Sequence, residues 1–290
     1  MAKHVLVTGG AGFIGSHVVD AYIDRGWRVS VVDDLSTGNR ANLNPKAEFY
    51  MMDISATPLD KIRPDVISHH AAQMDVRRSV ADPVFDARTN ILGALRLLQK
   101  SVECGVKRFI FASTGGAVYG EPVFAPQTEE HPTNPLSPYG CAKLSVEHYL
   151  NYFRAVHGLS TVALRYANVY GPRQNAMGEA GVVAIFIGKK LRGERAKING
   201  DGEQTRDYVY VADVVAANMD VTESSETGPY NVGTGIETSV NQLAKMIGVE
   251  TDHGPAKAGE QRRSVLASKF GRTPLADGLR ETLAWFTARC

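Results

Sequence analysis

The sequence predicts an α/β chain built on a doubly wound parallel sheet, with a smaller lobe made by its C-terminal part. Three observations carry this reading. Short β-branched runs alternate with longer amphipathic ones through the first half of the chain, the rhythm of βαβ units feeding a parallel sheet. Gly26, Gly105 and Gly158 close the amphipathic runs, where a helix C-terminus favours a residue that accepts left-handed backbone. After Tyr166 the rhythm breaks into a loop rich in Gly, Pro and Asn, followed by shorter elements.

Taken in order, strands are expected at His4 to Thr8, Arg28 to Asp33, Glu48 to Met52, Asp65 to His69, Arg108 to Ser113 and Thr161 to Arg165. Helices are expected between them. Phe13 to Arg25 repeats Ile14, Val18 and Tyr22 at helical spacing, and Pro83 to Glu103 and Pro138 to His157 behave likewise. Right-handed crossovers then place helices on both faces of one sheet. Beyond the break, a helix is expected near Val182 to Leu191 and a last one from Leu275 to Ala288. Residues 1–166 therefore form a Rossmann-type, dinucleotide-binding domain, with a later strand returning near 230–233. Residues 167–290 are mostly a substrate-binding lobe.

Composition narrows the class. At 290 residues with 43% hydrophobic and 22% charged residues and a net charge of +1, the chain reads as an ordinary globular protein with no basic field for nucleic acid. Val5-Leu6-Val7 is too short an apolar run for a secretory core or a membrane span, so a cytoplasmic location is expected. Cys104, Cys141 and Cys290 are far apart and show no CxxC pairing, which argues against a disulfide framework or a zinc site. His69 and His70 are neighbours on a strand and would face opposite ways, so they do not suggest a joint metal site. No metal is expected.

Two motifs carry chemistry. Thr8-Gly9-Gly10-Ala11-Gly12-Phe13-Ile14-Gly15 stands where the first strand turns into the first helix, the context in which a glycine fingerprint binds a dinucleotide pyrophosphate. Gly9, Gly12, Phe13, Ile14 and Gly15 would cradle it, with the first free N–H groups of the helix aimed at the phosphates. Asp33 closes the second strand about 20 residues on, where a carboxylate accepts the adenine ribose hydroxyls and repels a 2′-phosphate. NAD is thus favoured, while Arg40 keeps NADP open. The second motif is Tyr139-Gly140-Cys141-Ala142-Lys143, which sets Tyr139 and Lys143 on one helical face. A nearby ammonium and a cationic nicotinamide would draw the tyrosine pKa toward neutrality, making it a base toward an alcohol and an acid toward a ketone.

At these residues the chain resembles the extended short-chain dehydrogenases, and within them the UDP-glucose 4-epimerases. The resemblance runs through TGGAGFIGSH, HHAAQ, Asn90, ASTGGAVYG, SPYGCAK, LRYANVYGPRQ, TRDYVYVADV and YNVGTG. It implies that Tyr139 removes the proton of the sugar 4-hydroxyl while bound NAD accepts and returns hydride. It also implies that Asp53, Ile54, Ala71 and Asn90 join the cofactor site. The third catalytic position of that family, usually Ser or Thr, falls on Gly115. Thr114 is the nearest hydroxyl, and it either replaces the missing one or simply ends its strand. Dehydratases of the superfamily carry Asp-Glu at the next positions, and Gly116-Ala117 here argue for epimerisation without elimination.

Substrate contacts implied by the resemblance are Asn168, Arg206, Lys257 and Ser264. Arg206 would grip the diphosphate of a UDP-sugar with its planar fork. Lys257 would serve as a point charge or be a surface lysine, and Ser264 would leave room at the sugar 2-position or be a surface loop residue. A homodimer is implied by the family habit of pairing helices. Ile91, Leu95, Leu98 and Val102 supply an apolar stripe that serves such pairing or packs on the sheet. Other sugar-nucleotide epimerases or reductases, acting on UDP-N-acetylglucosamine or UDP-glucuronate, remain open alternatives. So does a non-enzymatic NAD-binding protein.

Overall fold

The computed structural model describes residues 3–176, 181–256 and 261–289. The chain divides into two compact units, Met1–Val118 with Pro135–Arg165 and Val215–Tyr230, and Tyr119–Asn134 with Tyr166–Val214 and Asn231–Cys290. The chain thus enters the second unit before residue 166 and returns to the first after it, so a single division after Tyr166 differs from the observed grouping. The reason is that the Tyr119–Asn134 segment and the Val215–Tyr230 segment each make their contacts away from their neighbours in sequence.

In the first unit β1 (His4–Thr8), α1 (Phe13–Asp24), β2 (Arg28–Asp33) and β3 (Glu48–Met51) come first. Then follow a short α2 (Leu59–Ile62), β4 (Val66–His69), α3 (Val76–Ala81) and α4 (Pro83–Ala87). The predicted Pro83 to Glu103 helix is interrupted: a π-helical turn at Arg88–Leu92 joins α4 to α5 (Gly93–Glu103). Next are β5 (Arg108–Thr114), the one-turn α6 (Gly115–Val118), α7 (Pro138–His157) and β6 (Ser160–Tyr166). Proline at the start of α7, Ser137 capping the Gly140 N–H and Gly158 at φ 68 make both ends of that helix local decisions of the sequence.

Further along run β7 (Asn168–Tyr170), α8 (Val182–Leu191), β8 (Ala196–Asn199), β9 (Thr205–Tyr210) and α9 (Val211–Glu223). The chain ends through β10 (Gly228–Val232), β11 (Glu237–Ser239), α10 (Val240–Ile247), β12 (Thr251–Gly254) and α11 (Leu275–Thr287).

Seven strands form the main sheet in the order β10-β6-β5-β4-β1-β2-β3. The order reverses between β1 and β4, and at such a switch point the loops leaving adjacent strands part company and open a crevice. Thr8 is level with Val32 on one side and with His69 on the other, so the segments after β1, β2 and β4 leave the sheet at one edge. The strands are apolar on both faces because helices cover both: Val5, Leu6, Val7, Val31, Ile67 and Phe109 are all fully buried. From the helices come Val18 and Tyr22 of α1, Leu97 and Leu98 of α5, and Val146 and Leu150 of α7.

Of the stripe Ile91, Leu95, Leu98 and Val102, the last three meet the core of the first unit, and Ile91 is half-buried. Leu98 is fully buried, and Leu95 and Val102 pack against the same core. Sheet coverage takes these positions because α5 must cover the apolar face of β4 and β5.

The second unit holds a three-stranded sheet, β11-β9-β7, and a two-stranded one, β12-β8. Its α10 opens on a complete capping box between Ser239 and Gln242. Among the described residues no helix is long and apolar enough to cross a membrane, and no group of three His, Cys, Asp or Glu residues could hold a metal ion.

Candidate active site

The glycine loop is built by close approach of backbone to backbone. Gly9 has φ 70, and a Cβ there would lie 2.6 Å from the Ala71 nitrogen. At Gly15 a Cβ would overlap the Gly9 carbonyl. Gly12 is the N-cap of α1 and offers no side chain to its own helix, so the first-turn N–H groups of Phe13 and Ile14 face outward without a capping oxygen. That is the arrangement an anion such as a pyrophosphate fits, with the positive end of the helix dipole behind it.

Asp33 ends β2 and is buried. Its Oδ2 accepts the Ala11 N–H at 3.0 Å and its Oδ1 the Leu35 N–H at 2.8 Å. The carboxylate is therefore tied to the glycine loop itself. Burial raises its pKa, and the two N–H groups oppose that rise. Each oxygen keeps a lone pair for a ribose hydroxyl. Arg40 stands in a short 3-10 turn with its guanidinium 5.9 Å from the centre of the Phe49 ring.

The remaining expected cofactor residues divide into two kinds. Asp53 is exposed and caps a 3-10 turn by accepting the Ser55 N–H at 2.7 Å, while the Ile54 side chain belongs to the core. Ala71 lies under Gly9 and donates its N–H to the Thr8 hydroxyl at 3.3 Å. Asn90, in the π turn, is buried and fully used: its Oδ1 accepts the Gln73 N–H, and its Nδ2 donates to the Gln73 carbonyl and to Asp86 Oδ1. A π turn adds a residue to the helix and so re-aims a side chain. Here it sends Asn90 inward to clamp the segment after β4.

Tyr139 and Lys143 share one face of α7. The Lys143 side chain is 3% exposed, donates from Nζ to the Ala112 carbonyl at 2.8 Å, and lies 4.6 Å from the Phe111 ring centre. Loss of solvent pushes this ammonium down to about 8, against the opposing pull of Asp86 and Glu147. The expected shift of the Tyr139 phenol toward neutrality concerns a site that also holds a cationic nicotinamide; in the chain alone the balance is different. Desolvation raises Tyr139, and the Asp86 carboxylate raises it further. A buried phenolate is costly, and the nearest anion adds to that cost.

Gly115 begins α6, directly after Thr114 ends β5. The Ser113 hydroxyl is committed to Glu147 Oε1 at 2.5 Å, which leaves Thr114, half-buried, as the hydroxyl beside Gly115. Glu147 in turn takes the Arg165 guanidinium, with Nη2 at 2.6 Å and both partners buried.

In the second unit Asn168 begins β7. Arg206 on β9 donates to the carbonyls of Thr205 and Gln261, each at 2.8 Å. Ser264 is buried at 1% exposure, which removes the surface-loop reading of it. Lys257 lies outside the described residues, as does Cys290; Cys104 and Cys141 are free thiols. Asp207, next to Arg206, is fully buried and accepts N–H groups from Thr234, Gly235 and Leu266.

Sequence reasoning missed Asp86, Gln73, Glu147 and Asp207. Two of them carried a readable signal. Asp86 stands four residues before Asn90 and Glu147 four after Lys143, the spacing of neighbours on one helical face.

Residues 5–233 match the model of the NAD dependent epimerase/dehydratase family. The chain is 43% identical over 305 residues to a UDP-glucose 4-epimerase of Mycolicibacterium smegmatis, covering 97% of each chain. Among solved structures it is similar to a UDP-glucose 4-epimerase of Thermotoga maritima with UDP-glucose, at 47% identity, TM-score 0.97 and 99% of each chain. It is also similar to a UDP-glucose 4-epimerase of Thermus thermophilus in complex with NAD, at 40% identity and TM-score 0.94, covering 99% of this chain and 100% of the other.

Proposed function

We propose that this chain, which belongs to the NAD dependent epimerase/dehydratase family, inverts carbon 4 of a UDP-hexose, interconverting UDP-glucose and UDP-galactose with NAD as a retained cofactor. The observation that carries the reading is the pairing of Tyr139 with a buried Lys143 on α7, in the same unit as the glycine loop and Asp33. A protein that only sensed NAD would have no use for the pair.

Gly9, Gly12, Phe13, Ile14 and Gly15 would hold the pyrophosphate of NAD, and Asp33 the adenine ribose. Asp53, Ile54, Ala71 and Asn90 complete that assignment, Ile54 through its backbone and Asn90 by fixing the segment after β4. When bound, NAD supplies a hydride acceptor and donor. Tyr139 takes the proton of the sugar 4-hydroxyl as that carbon becomes a ketone, and gives a proton back when the ketone is reduced on its other face. One proton leaves and one returns, so the base is regenerated in every turnover. Lys143 keeps positive charge beside the phenol, and Thr114 donates a hydrogen bond to the sugar oxygen as charge develops on it. Gly116 and Ala117 bring no carboxylate to the turn after Thr114, which supports epimerisation without loss of water.

We assign cofactor holding to the first unit and substrate contacts to Asn168, Arg206, Lys257 and Ser264 of the second part of the chain. The activity connects the protein with galactose metabolism. A cytoplasmic location accords with the free thiols of Cys104 and Cys141. A homodimer is proposed on a different face from the one the sequence offered: Tyr149, Tyr152 and Val156, at 41%, 47% and 62% exposure, follow one another on α7, with Val84 and Leu92 exposed on neighbouring α4 and the π turn.

The test is to incubate the purified protein, without added NAD, with UDP-glucose, UDP-N-acetylglucosamine and UDP-glucuronate separately and to read the sugars by NMR. UDP-galactose is expected from the first. Reduced cofactor accumulating in solution with no epimer would overturn the reading.

A further inference from the structure

We propose that Glu147 is a positioning residue for Tyr139: paired with Arg165 and holding the Ser113 hydroxyl, it fixes where α7 stands on β5 and β6. The inference rests on the proposed role of Tyr139 as proton acceptor. Glu147 is the one carboxylate of α7, four residues beyond Lys143 and eight beyond Tyr139. Its side chain is 8% exposed and that of Arg165 6%. Arg165, on β6, donates from Nε to both carboxylate oxygens at 3.1 Å and from Nη2 to Oε2 at 2.6 Å. The Ser113 hydroxyl, on β5, donates to Oε1 at 2.5 Å. Since β5 and β6 are neighbours in the sheet, one buried carboxylate joins the helix to two adjacent strands.

Around this network the contact of helix and sheet is apolar. Val146, Leu150 and Phe153 of α7 belong to the same core cluster as Phe109 and Phe111 of β5. Burial of apolar surface is non-directional, so it keeps a helix on a sheet without choosing its place along the strand. Directional bonds make that choice. α7 is tied to β5 at two successive residues: Lys143 Nζ donates to the Ala112 carbonyl at 2.8 Å, and Glu147 accepts the Ser113 hydroxyl. The lysine tie ends on a flexible four-carbon stem, whereas the planar fork of Arg165 on a carboxylate admits far less play.

Stability alone does not account for such a pair. Taking two charges out of water offsets most of their attraction, and apolar residues of similar volume in the same place are often as stable or more so. What the ion pair adds to an apolar contact is a fixed position. Position matters to a proton transfer, where a misplacement of about 1 Å can cost on the order of 100-fold in rate. Tyr139 follows Pro138 in the first turn of α7, so a shift of that helix on β5 and β6 moves the phenol relative to the glycine loop and Asp33, which stand on other elements.

The experiment replaces the network with apolar side chains, Ser113→Ala, Glu147→Leu and Arg165→Met together, in the full chain and again on a Tyr139→Phe background. A merely structural pair would leave the folded triple variant with parental turnover. The proposal expects a melting temperature near the parental one, retained NAD and an unchanged KM for UDP-glucose, with kcat lower on the order of 10-fold. It expects no further fall on the Tyr139→Phe background, because the network acts through that residue. Parental kcat in the folded triple variant, a loss confined to KM, or a loss that adds in full to that of Tyr139→Phe overturns the proposal. Should the triple variant not fold, Ser113→Ala decides, since it cuts the tie to β5 and leaves Glu147 paired with Arg165. Its kcat must fall with KM unmoved, and a parental kcat overturns the proposal. Failure of the enzymatic reading looks different: Tyr139→Phe alone would then keep parental turnover, and this proposal would fall with it.

Discussion

The Lys143 ammonium lies 5.7 Å from the centre of the Tyr139 ring and is anchored by the Ala112 carbonyl, not by the phenol. The two side chains are thus neighbours without a direct hydrogen bond. In the chain alone, burial and then the Asp86 carboxylate raise the Tyr139 phenol.

Tyr139→Phe should fold and retain NAD but lose turnover by on the order of 100-fold or more, because it deletes the proton acceptor and keeps the ring. Lys143→Met should lose comparably, and the double variant little more than either, since the two residues act as a unit. Steady-state rates of the three variants check this. Additive losses would mean that Lys143 serves only the cofactor.

Asp33→Asn should narrow the preference for NAD over NADP by removing the charge that repels a 2′-phosphate. It should also lower thermal stability, because Asp33 Oδ2 and Oδ1 hold the Ala11 and Leu35 N–H groups and an amide can offer an acceptor oxygen to only one of them. Cofactor titration by fluorescence and a melting curve separate the two effects. An unchanged NAD/NADP ratio would remove Asp33 from the ribose.

Most strand and helix positions were legible because parallel strands buried on both faces read as apolar runs, and because caps such as Gly158 after α7 are written locally. The glycine loop and the Tyr139–Lys143 pair were legible for the same reason, each being contiguous in sequence. What escaped was long-range. Asp86 meets Gln73 across 13 residues and Arg165 meets Glu147 across 18, and neither partner choice leaves a pattern in either segment. The π turn escaped too, since Arg88 to Leu92 keep the apolar spacing of an ordinary helix. The desolvation of Tyr139 escaped as well, because it comes from elements distant in sequence that pack around the start of α7.

Ser264→Tyr should suppress turnover of UDP-N-acetylglucosamine more than that of UDP-glucose, by building a clash against the bulkier substituent. Since Ser264 is buried, the larger ring should also cost about 1 to 3 kcal/mol of stability through overpacking. The ratio of the two rates is therefore the quantity to measure, because loss of folded protein cancels from it. An unchanged ratio would place the gate at another residue.

His70 should make the protein acid-sensitive in a way one substitution relieves. Its pKa falls from 6.5 to about 3 on folding, through burial first and the Lys143 charge second. Between those values the unfolded chain binds a proton that the native chain refuses, so stability is full above pH 6.5 and falls as the pH drops through the window. His69 behaves in the same way, but its Nδ1 is engaged with the Thr8 hydroxyl at 2.6 Å, so replacing it would remove a hydrogen bond next to the glycine loop. His70 is the better choice: its Nδ1 is buried without a partner, and only Nε2 meets the Ser68 hydroxyl. His70→Phe should therefore fold and show a smaller drop in urea midpoint between neutral pH and pH about 5 than the parent, since one of the imidazoles with a lowered pKa, His4, His69 and His70, is gone. Equal drops in parent and variant would show that the acid sensitivity arises from other groups.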